Sequence, residues 1–222
     1  MLQKIRNSIF TLAVASIIFA GYLLYSQAIN VQINEKELVP YAEVNRKQAK
    51  YSTIVRLYLS DGGMCSGVVI SDDYVLTASH CAVSKWGIMD AKEVEVYSED
   101  REDTHILGHF VAVQRNKDVA LLKGNFKNFV VSKPNFEDIV SVKDFILTSC
   151  GFPSDGKLNC VLASYDGPSM WQYKAKSASI FPGMSGGPVF NLDGEVVAVN
   201  SALASDCVIF SPLIGLRSEW GI

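Results

Sequence analysis

From Tyr51 onward the chain is a succession of short β-branched and aromatic runs broken at turn spacing, and this pattern rules out most folds. "YSTIVRLYL" (51–59) alternates and meets the turn Asp61-Gly62-Gly63. "CSGVVI" (65–70) stops at Ser71-Asp72-Asp73, and "YVLTAS" (74–79) follows at once. "EVEVYS", "GHFVAVQ", "DVALLK", "DFILTSC" and "LNCVLAS" continue the series, and "GPVFNLDGEVVAVNS" reads as a hairpin with Asp193-Gly194 at its tip. Many short strands at this spacing predict an all-β body, a sandwich or a barrel. The closing "SPLIGLRSEWGI" predicts a short helix beginning near Pro212.

The first residues are built differently. Lys4 and Arg6 precede a stretch with no charge until Glu35, and Ile9 to Tyr25 is strongly apolar. That is close to the shortest segment that spans a bilayer as a helix. Positive charge before it and none just after it puts the N-terminus in the cytoplasm and the rest outside. Residues 1–28 therefore read as a signal anchor with a membrane helix over residues 8–26, the membrane being one expected partner. The alternative is a signal peptide cleaved after Ser26-Gln27-Ala28, which leaves a secreted protein. Either way the body is exported to a periplasm or extracellular space. Residues 29–50, polar and mixed in charge, read as a stalk, leaving 51–222 as the folded domain. With 49% apolar and 19% charged residues and a net charge of -3, the chain can bury a core and carries no basic patch for nucleic acid.

The five cysteines, at 65, 81, 150, 160 and 207, suit an oxidising compartment. None sits in a C-x-x-C pattern, so no metal is expected, and no cofactor either. The odd number leaves one unpaired within a monomer.

Candidate chemistry gathers in three places. "SIFPGMSGGPVF" (179–190) sets Ser185 among glycines and prolines. Such a cluster can be a mere turn, or a place where something must approach the backbone closely. A serine hydroxyl is a weak nucleophile and needs a base, itself held in one tautomer by a carboxylate. Of the three histidines, His105 and His109 lie in a polar stretch and read as exposed. His80 ends the apolar run "DYVLTASHC" and is tied at the next residue by a cysteine, although a core histidine fits the same setting. Asp118 leads straight into the apolar "DVALLK", which should draw its carboxylate inward and require a partner there.

"CSGVVISDDYVLTASHC", "DVALLK" and "GMSGGPV" together resemble the three catalytic blocks of chymotrypsin-like serine proteases, in that family's order of His, Asp and Ser. The resemblance covers residues 51 to 218. It implies two six-stranded antiparallel β-barrels with the site in the cleft between them. It also implies His80, Asp118 and Ser185 as the triad, the backbone N–H groups of Gly183 and Ser185 as oxyanion donors, and a Cys65–Cys81 disulfide. Cys150 and Cys160 flank a hairpin loop and are paired provisionally, with Cys207 left over. Met184 stands where trypsin-type zymogens carry an aspartate, so that form of activation is not expected. "SGGPVFNLDGEVVAVNSALAS" is similar to the Deg-type proteases of the cell envelope, whose usual PDZ domain is not expected here.

The substrate pocket of this family is walled by the segments that here contain Ser179 and Ile180 and Val199, Asn200, Ser201 and Ala202. Ser179 stands where trypsin-like enzymes hold an aspartate, so the pocket is expected to be neutral or apolar. The expected activity is serine endopeptidase, acting on polypeptides through an acyl-enzyme and cutting after small or medium apolar residues. A catalytically silent binding protein on the same fold is the alternative, and an acyl hydrolase using the same triad is a third reading.

Overall fold

The computed structural model describes residues 49–83, 93–98, 105–137, 146–169, 172–176, 180–203 and 208–221. The segment expected to span a membrane and most of the expected stalk lie outside these residues, as do Ser179 and Cys207. Among the described residues, no helix is long and apolar enough to cross a membrane.

Among the described residues, twelve strands carry the fold. The first six are β1 (Ile54–Tyr58), β2 (Met64–Val69), β3 (Tyr74–Thr77), β4 (Val94–Ser98), β5 (His105–Gln114) and β6 (Val119–Lys123). They close into a barrel in the order β1-β2-β3-β6-β5-β4. The second six are β7 (Ile146–Gly151), β8 (Asn159–Ser169), β9 (Gln172–Lys176), β10 (Pro188–Phe190), β11 (Val196–Leu203) and β12 (Val208–Pro212). These close in the order β10-β11-β12-β9-β8-β7. Neighbouring strands in both barrels are antiparallel.

The apolar pattern explains the layering. β4 alternates buried Val94, Val96 and Ser98 with the exposed Glu95, as a strand with one wet face should. β6 does not alternate, because Val119 through Leu122 are all buried. Its Ala120 and Leu122 join Val55, Leu57, Val69 and Val96 inside the first barrel. Its Val119 and Leu121 face the other way, into a cluster shared with Phe152, Phe190, Val199 and Leu213 of the second half. A third cluster of Leu147, Val189, Val197, Ala198 and Phe210 fills the second barrel. The uninterrupted apolar runs thus belong to strands that cover a barrel interior on one side and the seam between barrels on the other.

The hairpin at Asp193-Gly194 forms between β10 and β11, with Gly194 at φ 78 and the Asn191 side chain accepting from the Glu195 N–H. The terminal helix, α1 (Leu216–Trp220), starts later than Pro212. Pro212 is still paired with Ala198 in β12, and the chain needs Gly215 at φ 76 to leave the strand before it can coil.

Two disulfides are present, Cys65–Cys81 and Cys150–Cys160. The first ties the start of β2 to the turn after β3. The second joins residues directly opposite on β7 and β8. Digestion under non-reducing conditions is expected to yield both linked peptide pairs. Replacing Cys65 and Cys81 by serine is expected to cost about 2–4 kcal/mol in denaturant titrations; an unchanged midpoint would mean that this bridge does not form in the folded protein.

Candidate active site

The turn Ser79–Cys81 continues β3 as a short 3-10 helix, with Ser79 and Cys81 buried and His80 turned outward. The turn before β6 delivers Asp118 at φ 53, a left-handed conformation that an aspartate adopts more readily than most residues. His80 Nδ1 lies 2.9 Å from Asp118 Oδ2 and 3.1 Å from Oδ1. The backbone N–H of His80 donates to Oδ1 at 2.9 Å, as does the Ser79 hydroxyl. Ser201 on β11 completes the set, its hydroxyl donating to Oδ2 at 2.5 Å. The carboxylate side chain is 16% exposed while the imidazole is 46% exposed. A half-buried anion with these donors holds the ring with Nδ1 inward and leaves Nε2 toward solvent.

Ser185 reaches the same place from the second barrel. Its carbonyl accepts from the Ser66 N–H of β2 at 2.8 Å, and Cys81 Sγ, one residue past His80, lies 3.9 Å from that carbonyl. Gly186, at φ 79, fits under the first barrel only as glycine. A Cβ there would collide with Thr77 Oγ1 and would lie 2.6 Å from the Ala78 nitrogen. Gly183, at φ 98, is equally crowded, its missing Cβ directed at the Phe152 carbonyl oxygen, 2.6 Å away. Among the described residues, no acceptor faces the backbone N–H of Gly183 or of Ser185, and no hydrogen bond joins His80 to Ser185.

Asn200 fastens the loop from behind. It is fully buried, and its amide donates to the Cys150 carbonyl at 2.8 Å and the Met184 carbonyl at 3.2 Å while accepting from the Ser149 hydroxyl at 2.7 Å. Its backbone carbonyl takes the Gly186 N–H at 2.7 Å and its N–H donates to the Gly187 carbonyl at 2.8 Å.

Of the six positions expected to wall a pocket, Val199, Asn200, Ser201 and Ala202 are consecutive on β11. Ser179 lies outside the described residues. Ile180 packs against the second barrel's core, and Val199 is fully buried. The Asn200 side chain bonds within the loop and the Ser201 hydroxyl bonds to Asp118. Of the five described positions, Ala202 alone is exposed. Cys65, His80 and Cys81 bring one potential metal-ligand atom each within 4.8 Å of one another. Both thiols are consumed by the disulfide, which leaves a lone imidazole and no metal site.

A model of the trypsin-like peptidase domain matches residues 65–199, which takes in all three segments. The chain belongs to that family. Within it, the chain is 32% identical over 145 residues to a probable periplasmic serine endoprotease, DegP-like, of Pseudomonas fulva, and to a protein of the same description from Marinomonas sp.. The match covers 62% of this chain but only 29% of either relative. Among solved structures, the Rv3671c protease from M. tuberculosis in its active form superposes with a TM-score of 0.62 at 21% identity, covering 77% of this chain and 80% of that one. The serine endoprotease from Yersinia pestis gives 0.62 at 22%, covering 76% and 61%. At these identities the likeness is one of fold, and this trypsin-like domain shares it.

Burial alone would push the Asp118 carboxyl up. The hydrogen bond and charge of His80 oppose this, followed by Ser201 and the His80 N–H, and they hold it below its ordinary 3.8. A group whose folded value is depressed stabilises the fold fully above its unfolded value, and that contribution is lost as pH falls through the folded one. Stepping down from pH 5, wild-type stability is therefore expected to fall more steeply than that of Asp118→Asn in urea titrations. Parallel slopes would show that the carboxylate gains nothing from its four donors.

Proposed function

We propose that this domain is a serine endopeptidase in which His80, Asp118 and Ser185 act as one unit. The observation that carries the reading is the Asp118 carboxylate holding His80 by Nδ1, beside a serine loop whose Gly183 and Ser185 N–H groups meet no acceptor among the described residues. His80 Nε2 takes the proton as Ser185 Oγ bonds to the scissile carbonyl carbon. The carbonyl oxygen becomes an oxyanion received by the two N–H groups. The imidazolium then protonates the leaving amine, the C–N bond breaks and an acyl-enzyme remains. Water, deprotonated by the same imidazole, releases the acid and restores Ser185.

Specificity follows from the absence of a carboxylate at position 179 and from the apolar packing of Ile180. Burying an unpaired lysine ammonium there is costly. We propose cleavage after Val, Ala, Ile or Leu, graded rather than strict, since a methylene in such a pocket is worth about 1–3 kcal/mol. The relatives described as periplasmic, and the charge pattern of residues 1–35, support an exported catalytic domain tethered by residues 8–26. Alkaline carbonate is then expected to leave the full chain in the membrane pellet.

A fluorophosphonate is expected to label Ser185 in the wild type and not in Ser185→Ala. Ser185→Ala and His80→Ala are each expected to lower kcat by about 10³-fold or more, and the double variant to lose little beyond either alone. Additive losses would separate the two residues and defeat the triad; a peptide library cut mainly after Arg or Lys would defeat the pocket.

A further inference from the structure

β2 contains a residue whose chemistry the barrel itself does not require. Ser66 is fully buried in a strand that is otherwise apolar from Cys65 to Val69, and a hydroxyl buried there must find partners. Its backbone serves the fold and the loop: its N–H reaches the Ser185 carbonyl at 2.8 Å, and its carbonyl accepts from the Thr77 hydroxyl at 2.8 Å. The side chain does something else. Ser66 Oγ accepts from the Phe152 N–H at 2.8 Å and donates to the Gly183 carbonyl at 2.8 Å. One hydroxyl from the first barrel thus joins the segment after β7 to the turn just before Ser185.

We propose that Ser66 is a positioning residue that fixes the oxyanion-binding face of the serine loop by holding the carbonyl of Gly183; this rests on the role of Gly183 and Ser185 given above. A peptide unit is planar, so pinning the Gly183 oxygen fixes the Gly183–Met184 plane. The Met184 N–H is thereby aimed at the Phe181 carbonyl, which it meets at 3.0 Å. Together the two bonds brace the turn from Phe181 to Met184 that presents the Gly183 N–H. The Gly183 N–H itself lies in the Pro182–Gly183 plane, whose carbonyl accepts from the exposed Ser154 hydroxyl at 3.1 Å. The buried Ser66 hydroxyl holds the other side of the glycine, which at φ 98 has no side chain to restrain it, so losing that hydroxyl loosens the turn and lets the N–H shift from its aim. The hydroxyl touches no substrate atom. Its effect passes through a donor that matters chiefly once the carbonyl oxygen is charged, so kcat falls and KM barely moves.

The full-length protein, its active sites counted with a fluorophosphonate, provides the test. Ser66→Ala is expected to lower kcat per titrated site by about 10- to 100-fold, with KM within about threefold, and to weaken a peptidyl boronate in parallel. Val96→Ala, a cavity on β4, is expected to lower Tm while leaving kcat per site within about twofold of wild type. Ser66→Thr and Ser66→Val add similar bulk and differ in the hydroxyl, so Thr is expected to keep the higher kcat per site; this pair decides the matter should Ser66→Ala fold poorly. Unchanged kcat per site in Ser66→Ala, equality of Thr and Val, or the same per-site loss in Val96→Ala would overturn the proposal. A wild type that neither labels at Ser185 nor cleaves peptide would instead overturn the enzymatic role itself, and the proposal with it.

Discussion

A carboxylate taken out of water must find donors or it will not stay charged, and Asp118 finds them from both halves of the molecule. Ser79 and His80 approach from the turn after β3, and Ser201 approaches from β11 in the second barrel. Satisfying one buried anion therefore requires the two barrels to meet in a single register. The left-handed backbone at Asp118 is part of the same arrangement, since it aims the side chain into the seam while β6 departs from it. Lys117, immediately before, anchors this turn to the chain's end through the Ile214 carbonyl and Glu219.

The seam is also where apolar and polar forces divide the work. Val68, Leu76, Val119 and Leu121 from one barrel and Phe152, Phe190 and Val199 from the other supply a non-directional attraction. Such contacts alone would let the barrels slide. Ser66 and Asn200, both fully buried, add directional bonds whose partners must be present or left unsatisfied. Ser66 grips the serine loop from the first barrel and Asn200 grips it from the second, so the loop's shape records the docking of both.

The sequence displayed the parts of the site that are written in consecutive residues. His80 stood at the end of an apolar strand, Asp118 at the start of another, and Ser185 among glycines whose crowding is now visible at Thr77 and Phe152. What it hid depended on contacts between distant segments. Ser66 and Gly183 are 117 positions apart, and Ser201 and Asp118 are 83 apart. The only trace of them in the text is a small polar residue inside an apolar run, in "CSGVV" and "AVNSA". That signal marks a buried polar group without naming its partner: the resemblance set Asn200 and Ser201 beside a substrate pocket, and the bonds of their side chains to Cys150, Met184, Ser149 and Asp118 come from the folded structure. Pro212 misled for a related reason: its suitability for a helix start was real, but pairing with Ala198 kept it in a strand.

The order in which the chain is made gives the Ser201 contact a further meaning. His80 and Asp118 belong to the part synthesised first, and a first barrel alone could bring them together. The serine loop, Ser201 and α1 come from the last segments. While the chain is being made, the Asp118 carboxylate therefore waits with the donors of Ser79 and His80 alone, and gains that of Ser201 only after the second barrel has folded and docked. The contact thus reports on the completion of both barrels, and a molecule whose second barrel has not folded is left with a carboxylate short of one donor.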